Sequence, residues 1–169
     1  MAFRTSSKQA ASAAPIDSET GAFGAQQFYI LLVEDNPADE QLMREAVAAS
    51  GYRVRVMTAV NGAEALALMR RERPNLILLD LNLPAVDGRK VLQTLKAQAR
   101  QRYVPIIVFT SSAAPHDIIA AYTAGANCYM RKPTDFDGLA ERIKVLLHFW
   151  MEHVLFPPAD YVDRPRRTA

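Results

Sequence analysis

The 169-residue chain has a single cysteine, Cys128, and contains neither a GxxxxGK[ST] nor a GxGxxG sequence. One thiol excludes an intrachain disulfide and a cysteine-built metal cluster, so a reducing, cytoplasmic setting is expected. Without the glycine motifs, a P-loop or a dinucleotide-binding turn has no support. Charge of one sign is also scarce: the net charge is +2, and the basic "RPRR" at Arg164 to Arg167 reads as a solvated end, so no nucleic-acid partner is expected. The first 27 residues are rich in Ala and Ser and hold no continuous apolar segment. They fail as a secretory signal, no membrane association is expected, and residues 1–27 read as a flexible N-terminal arm.

What is present is an ordinary globular composition, half hydrophobic and 22% charged, in a length suited to one compact domain. From Phe28 onward, short aliphatic runs alternate five times with helical periodicity, which is the pattern of a parallel sheet covered by helices. "FYILLV" leads to Asn36, a helix N-cap, and Pro37 at the first helical position, followed by an apolar face of Leu42, Met43, Ala46 and Val47. "RVRVMT" alternates arginine with apolar residues as an edge strand does, and Asn61 caps a helix with Leu66 and Met69 inward that stops before Pro74. "LILLD" is the most apolar run and should be central; the helix after it carries Val91, Leu92, Leu95 and Ala99. "VPIIVF" precedes a helix bearing Ile118, Ala121 and Tyr122 and closed by Gly125, "NCYM" is the fifth strand, and a last helix spans about Asp135 to Met151. Right-handed crossovers make this a doubly wound, five-stranded parallel sheet in a three-layer αβα sandwich.

In such sheets ligands bind beyond the carboxyl ends of the strands. The stretch "ILLVEDNPAD" ends its aliphatic run in Glu34 and Asp35, acids that burial without partners would penalise and that should lie at the exposed strand tip. Asp80 follows the third strand, Thr110 the fourth and Lys132 the fifth. Taken singly, each has an ordinary reading as a solvated acid, a cap or a surface lysine. Together they place three acids, a hydroxyl and an ammonium at one rim, and like charges so close call for a divalent cation. Oxygen donors favour Mg²⁺ over zinc, since His116, His148 and His153 lie away from the rim in sequence.

The segments "VEDN", "LLDLNLPAVDG", "VFTSS" and "YMRKP" occur in this order. With their separations, they make residues 28–152 resemble the receiver domain of two-component response regulators, with its flavodoxin-like fold. The resemblance implies that Asp80 is the phosphoacceptor and that Asp35, Asp80 and the backbone carbonyl of Asn82 hold Mg²⁺, with Glu34 acting through water. It implies that Lys132 and Thr110 engage the phosphoryl group, that Tyr129 is the switch aromatic, and that Asn82 and Ser112 tune dephosphorylation. Phosphoryl transfer needs charge neutralisation and in-line placement more than covalent help from the protein, which suits these side chains. Gly88 falls where a tight turn is expected, and Lys132–Pro133 is a candidate cis peptide. The chain would be a phosphoacceptor and not an enzyme acting on other molecules. Ser111 departs from the alanine common in the family.

Only about 18 residues follow Met151, too few for a helix-turn-helix, so a stand-alone receiver is expected. Leu139, Ile143, Leu146, Leu147, Trp150 and Val154 share one face of the last helix. Val145, Phe149 and Phe156 remain as a second stripe, and residues 153–169 as a C-terminal tail, which together suggest a homodimer interface. The segment "HFWMEHVLFPP" is similar to the C-terminus of single-domain regulators that partner phytochrome histidine kinases, implying a sensor histidine kinase of the bacteriophytochrome class as partner. A haloacid-dehalogenase-type enzyme would want a second aspartate at Asn82. A phosphorylation-independent binding module would not need Asp80, Thr110 and Lys132 together.

Overall fold

The computed structural model describes residues 27–83, 88–98 and 103–157. Five strands, β1 (Phe28–Val33), β2 (Val54–Ala59), β3 (Leu76–Leu79), β4 (Ile106–Thr110) and β5 (Cys128–Arg131), form one parallel sheet in the order β2-β1-β3-β4-β5. Between them run α1 (Pro37–Ala49), α2 (Gly62–Glu72), α3 (Gly88–Ala97) and α4 (Pro115–Thr123), and α5 (Phe136–His148) closes the series. This is the doubly wound flavodoxin-like fold expected from the alternation, with the chain reversing its direction of travel across the sheet at β1 and β3.

The strands are buried on both faces, so their side chains divide by the period of two. Leu31, Val33, Ile77, Leu79, Ile106 and Val108 pack with Ala65, Met69, Val91, Leu92 and Leu95 on one face. Phe28, Ile30, Leu32, Leu76, Leu78, Ile107 and Phe109 pack with Met43, Ala46, Val47, Ile143, Leu146 and Leu147 on the other. Every residue of β3 is fully buried, as its sequence required, and β2 is the half-exposed edge.

Local chemistry sets the helix ends. The Asn36 side chain accepts from the Ala38 amide with Pro37 at the first position, and Asn61 and Asp135 accept from the Glu64 and Gly138 amides in the same way. Arg73 takes a left-handed conformation (φ 47°) to end α2 before Pro74, and Gly125 (φ 99°) follows α4.

Three expectations are corrected. Leu42 is 41% exposed, because Met43, Ala46 and Val47 already fill the narrow stripe α1 presents to the sheet. Tyr122 is 51% exposed, leaving Ala121 as the buried residue of α4. No cis peptide occurs among the described residues, so Lys132–Pro133 is trans, and Lys132 reaches the rim without the isomer. Gly88 opens α3 without a left-handed φ, the turn expected before it lies outside the described residues, and a Cβ on it would lie 2.6 Å from the Leu81 Cα and 2.9 Å from the Asp80 carbonyl oxygen. Its missing side chain lets the start of α3 press against the backbone that follows β3. Ala99 and the N-terminal arm lie outside the described residues.

The last helix departs from a plain α-helix. α5 ends at His148, and Phe149–His153 continue as one π-helical turn. Phe156 then folds back against Phe28 (ring centroids 5.9 Å) and Trp150 (6.0 Å), while Val145 and Phe149 stay exposed at 57% and 52%. The anticipated stripe of three is therefore divided, since Phe156 is half-buried where it packs on the rim of the core and so takes part of its ring from water. Among the described residues, no helix is long and apolar enough to cross a membrane.

Candidate functional site

At the carboxyl ends of the strands the chain gathers Glu34 after β1, Asp80 after β3, Thr110 at the end of β4 and Lys132 after β5. Glu34 and Asp80 are only 3% and 6% exposed, and Thr110 is fully buried. Glu34 is therefore not at an exposed tip, and its burial is made tolerable by a partner. Lys132 donates from Nζ to Glu34 Oε2 at 2.6 Å, to Asp39 Oδ2 at 2.7 Å and to Asp80 Oδ2 at 2.7 Å. These contacts join the ends of β1 and β3 and the first turn of α1 at a single ammonium carried past the end of β5.

Asp39 was not foreseen. It sits in the first turn of α1, where the Asn36 cap and Pro37 start the helix so that an early acid faces back over the strand ends. An acid in the first turn also suits the positive end of the helix dipole, and that is the signal that could have found it. Asp35, the expected member, is half-buried beside Glu34 and lies outside the group of three carboxylates.

The electrostatics are lopsided. Burial raises the Glu34 pKa, with the hydrogen bond and charge of Lys132 and the Asn36 amide pulling the other way. Burial also works against the Lys132 charge, but the hydrogen bonds it donates to Asp39, Asp80 and Glu34 outweigh it and hold its pKa above the ordinary 10.5. A raised lysine pKa stabilises the fold at every pH below that ordinary value and ceases to do so only in strong alkali. One ammonium nevertheless faces three carboxylates whose oxygens lie within 4.8 Å of one another. That all-oxygen, uncompensated set suits a hard divalent cation.

Around Asp80 the backbone and neighbours are held in place. The Asn82 amide donates to Asp80 Oδ1 at 3.0 Å, and the Asn82 side chain donates to Thr110 Oγ1 at 3.3 Å and Ser111 Oγ at 3.1 Å. Ser112 donates from Oγ to Asp117 Oδ2 at 2.6 Å and accepts from the Ala114 amide. Tyr129 is half-buried, and its hydroxyl donates to the Ser112 carbonyl at 3.1 Å, so the ring has a fixed partner on the β4–α4 connection. Burial raises its pKa, with the Ser112 bond acting in opposition.

The chain matches the response regulator receiver domain over residues 30–144. It belongs to that family. It is 37% identical over 137 residues to response regulator Rcp1 of Synechocystis sp., spanning 77% of this chain and 93% of that one. The crystal structure of a phosphorylated cyanobacterial phytochrome response regulator, RcpA, superposes with a TM-score of 0.73 at 37% identity, covering 78% of this chain and 99% of that one. A Mn²⁺-bound form of Rcp1 superposes at 0.70 with 36% identity and the same coverage. The chain is thus a receiver related to regulators of phytochrome systems: a phosphoacceptor whose partner is a sensor histidine kinase and whose chemistry is confined to its own phosphorylation and dephosphorylation. The acidic group and the Mn²⁺-bound relative together support a divalent-metal site at this rim.

Proposed function

We propose that Asp80 is the phosphoacceptor and Mg²⁺ the resident cation. The observation that carries this reading is the convergence of Glu34, Asp39 and Asp80 on Lys132 at the carboxyl edge of the sheet. An Asp80 carboxylate oxygen would attack the phosphorus of a phosphohistidine, forming an O–P bond as the N–P bond breaks; water later hydrolyses the acyl phosphate. Lys132 supplies positive charge 2.7 Å from the reacting carboxylate, and Thr110 a hydroxyl beside it. Glu34, Asp80, the neighbouring Asp35 and the Asn82 carbonyl would hold Mg²⁺, which contributes charge neutralisation when bound. Asn82 and Ser112 would flank the approach of water, Asn82 held by its bond to Thr110 and Ser112 by its bond to Asp117. Thr110 and Tyr129 form the switch: drawing the Thr110 hydroxyl toward a phosphoryl oxygen gives up its bond from Asn82, and Tyr129 adjusts with the Ser112 carbonyl that it holds.

With acetyl phosphate and Mg²⁺, intact-mass measurement is expected to show one added phosphoryl group on the wild type and none on Asp80→Asn. Equal labelling of the variant contradicts the assignment, and labelling undiminished by EDTA contradicts the cation.

We further propose that the kinase is a bacteriophytochrome, supported by the likeness to Rcp1 and RcpA and by the "HFWMEHVLFPP" segment. The place of action is then the cytoplasm, where ATP-dependent histidine phosphorylation occurs. Residues 28–152 act as the receiver and 153–169 as a tail that contributes to a homodimer, through Val145, Phe149 and the exposed Leu155, with Phe156 buttressing from beneath. Phe149→Asp is expected to convert a dimer to a monomer in light scattering while leaving phosphorylation intact, because the ring is exposed and remote from Asp80. A wild type that is monomeric at high micromolar concentration would remove the dimer.

A further inference from the structure

The π-helical turn after α5 does something an α-helix cannot. Residues five apart on an α-helix point about 140° away from each other, whereas i→i+5 pairing brings them toward one side. His148 and His153 are five apart, and here their Nε2 atoms lie 3.2 Å from each other with ring planes at 86°. Both side chains are exposed, so the space in front of them is open to solvent. His148 is also oriented from behind, its Nδ1 lying 3.0 Å from the Tyr52 hydroxyl across the connection between α1 and β2.

We infer that His148 and His153 form a binding site for a borderline transition-metal dication such as Zn²⁺, separate from the acidic rim. The separation fits: two imidazole nitrogens each about 2.0–2.1 Å from a tetrahedral ion stand roughly 3.3 Å apart. The donor type fits as well, because imidazole suits Zn²⁺, Cu²⁺ and Ni²⁺ and not Mg²⁺, which takes oxygen. Tyr52 performs the orienting role that ligating histidines usually receive from a group on the other ring nitrogen. Its hydroxyl can accept from Nδ1–H, which leaves the Nε2 lone pair for the metal. Two coordination positions remain for water or for a donor from another molecule. A π turn is a rare local choice and is found often at functional sites, which gives this one a purpose. The ordinary alternative is a single hydrogen bond between the imidazoles, which needs no metal and makes a different prediction.

The site links the end of α5 to the point where the chain reverses toward Phe156, so an ion there would fasten the turn on which Phe149 is displayed. Zn²⁺ would be titrated calorimetrically into the untagged full chain in excess Mg²⁺, alongside His148→Ala, His153→Ala, Tyr52→Phe and, as a control, His116→Ala. One Zn²⁺-binding component is expected to vanish in both His148→Ala and His153→Ala, weaken about tenfold in Tyr52→Phe and persist in His116→Ala. Retained labelling by acetyl phosphate verifies that the variants are folded. Imidazole NMR signals of the wild type give a second readout that needs no variant: His148 and His153 should shift with Zn²⁺ and His116 should not. No Zn²⁺ binding by the wild type, or binding as tight in either histidine variant as in the wild type, overturns the inference and leaves a hydrogen-bonded pair.

Discussion

Lys132→Met is expected to lower the stability of the metal-free protein by about 3 kcal/mol, since removing one partner of a buried ion pair leaves uncompensated charge. For a chain of this size that corresponds to a fall in Tm of roughly 10 °C. The reason lies in the arithmetic of exposure: the side chains of Glu34, Asp80 and Lys132 are 4%, 8% and 15% exposed, so water cannot replace the ammonium. The same substitution should tighten Mg²⁺ binding, because Nζ occupies carboxylate oxygens that a cation would otherwise use, and Mg²⁺ should restore much of the lost stability. Phosphorylation should nonetheless fall sharply, as the charge beside the reacting oxygen is gone.

The pH dependence follows in sign. Glu34 already has a raised pKa from burial, so its ionised form costs stability above that pKa and the cost disappears as pH falls through it. Without Lys132 the pKa rises further, so Lys132→Met should gain more stability than the wild type as pH falls from neutrality toward the ordinary carboxyl range. Thermal melts across that range with and without Mg²⁺ check both points. Unchanged melting together with unchanged Mg²⁺ affinity would mean that the ammonium is not seated among the carboxylates.

Gly88→Ala is expected to cost roughly 2–3 kcal/mol, the range of overpacking, and to slow phosphorylation as well. The added methyl would meet main-chain atoms of Asp80 and Leu81, which no rotamer change can move aside. Either α3 withdraws or the backbone that aims the Asp80 carboxylate shifts. Gly51→Ala is the informative comparison. Gly51 has φ 82° with nothing within 4 Å of a Cβ, so alanine there pays only for its left-handed backbone, about 1–2 kcal/mol, and should leave labelling unchanged. Urea unfolding gives the stabilities and the rate of acetyl phosphate labelling gives the chemistry. Gly88→Ala labelled as fast as the wild type would show that the contact with Asp80 and Leu81 does not position the site.

Much of this arrangement is legible along the chain because it is carried by short-range rules. The aliphatic runs must be strands buried on both faces, Asn36 and Asn61 must cap helices, and residues just past parallel strands must share one edge; the gathering of Glu34, Asp80, Thr110 and Lys132 follows. What escaped depends on rotation and on distant packing. Asp39 reaches Lys132 only because α1 starts at Pro37 with one particular azimuth, which the composition of "EDNPAD" does not disclose. Hydrophobic spacing over five residues cannot distinguish a π turn from an α turn, so the meeting of His148 and His153 was invisible. The return of Phe156 to Phe28 depends on space left at the end of β1, and Gly88's close approach depends on where α3 docks.

Borohydride reduction after incubation with acetyl phosphate and Mg²⁺, followed by peptide mass mapping, tests the central claim most directly. Reduction converts an aspartyl acyl phosphate to homoserine, marking the residue that held the phosphoryl group. The account predicts homoserine at position 80 alone, lost when Mg²⁺ is withheld. Homoserine at position 35 or 39, or none anywhere in a protein that has gained phosphate mass, would contradict it.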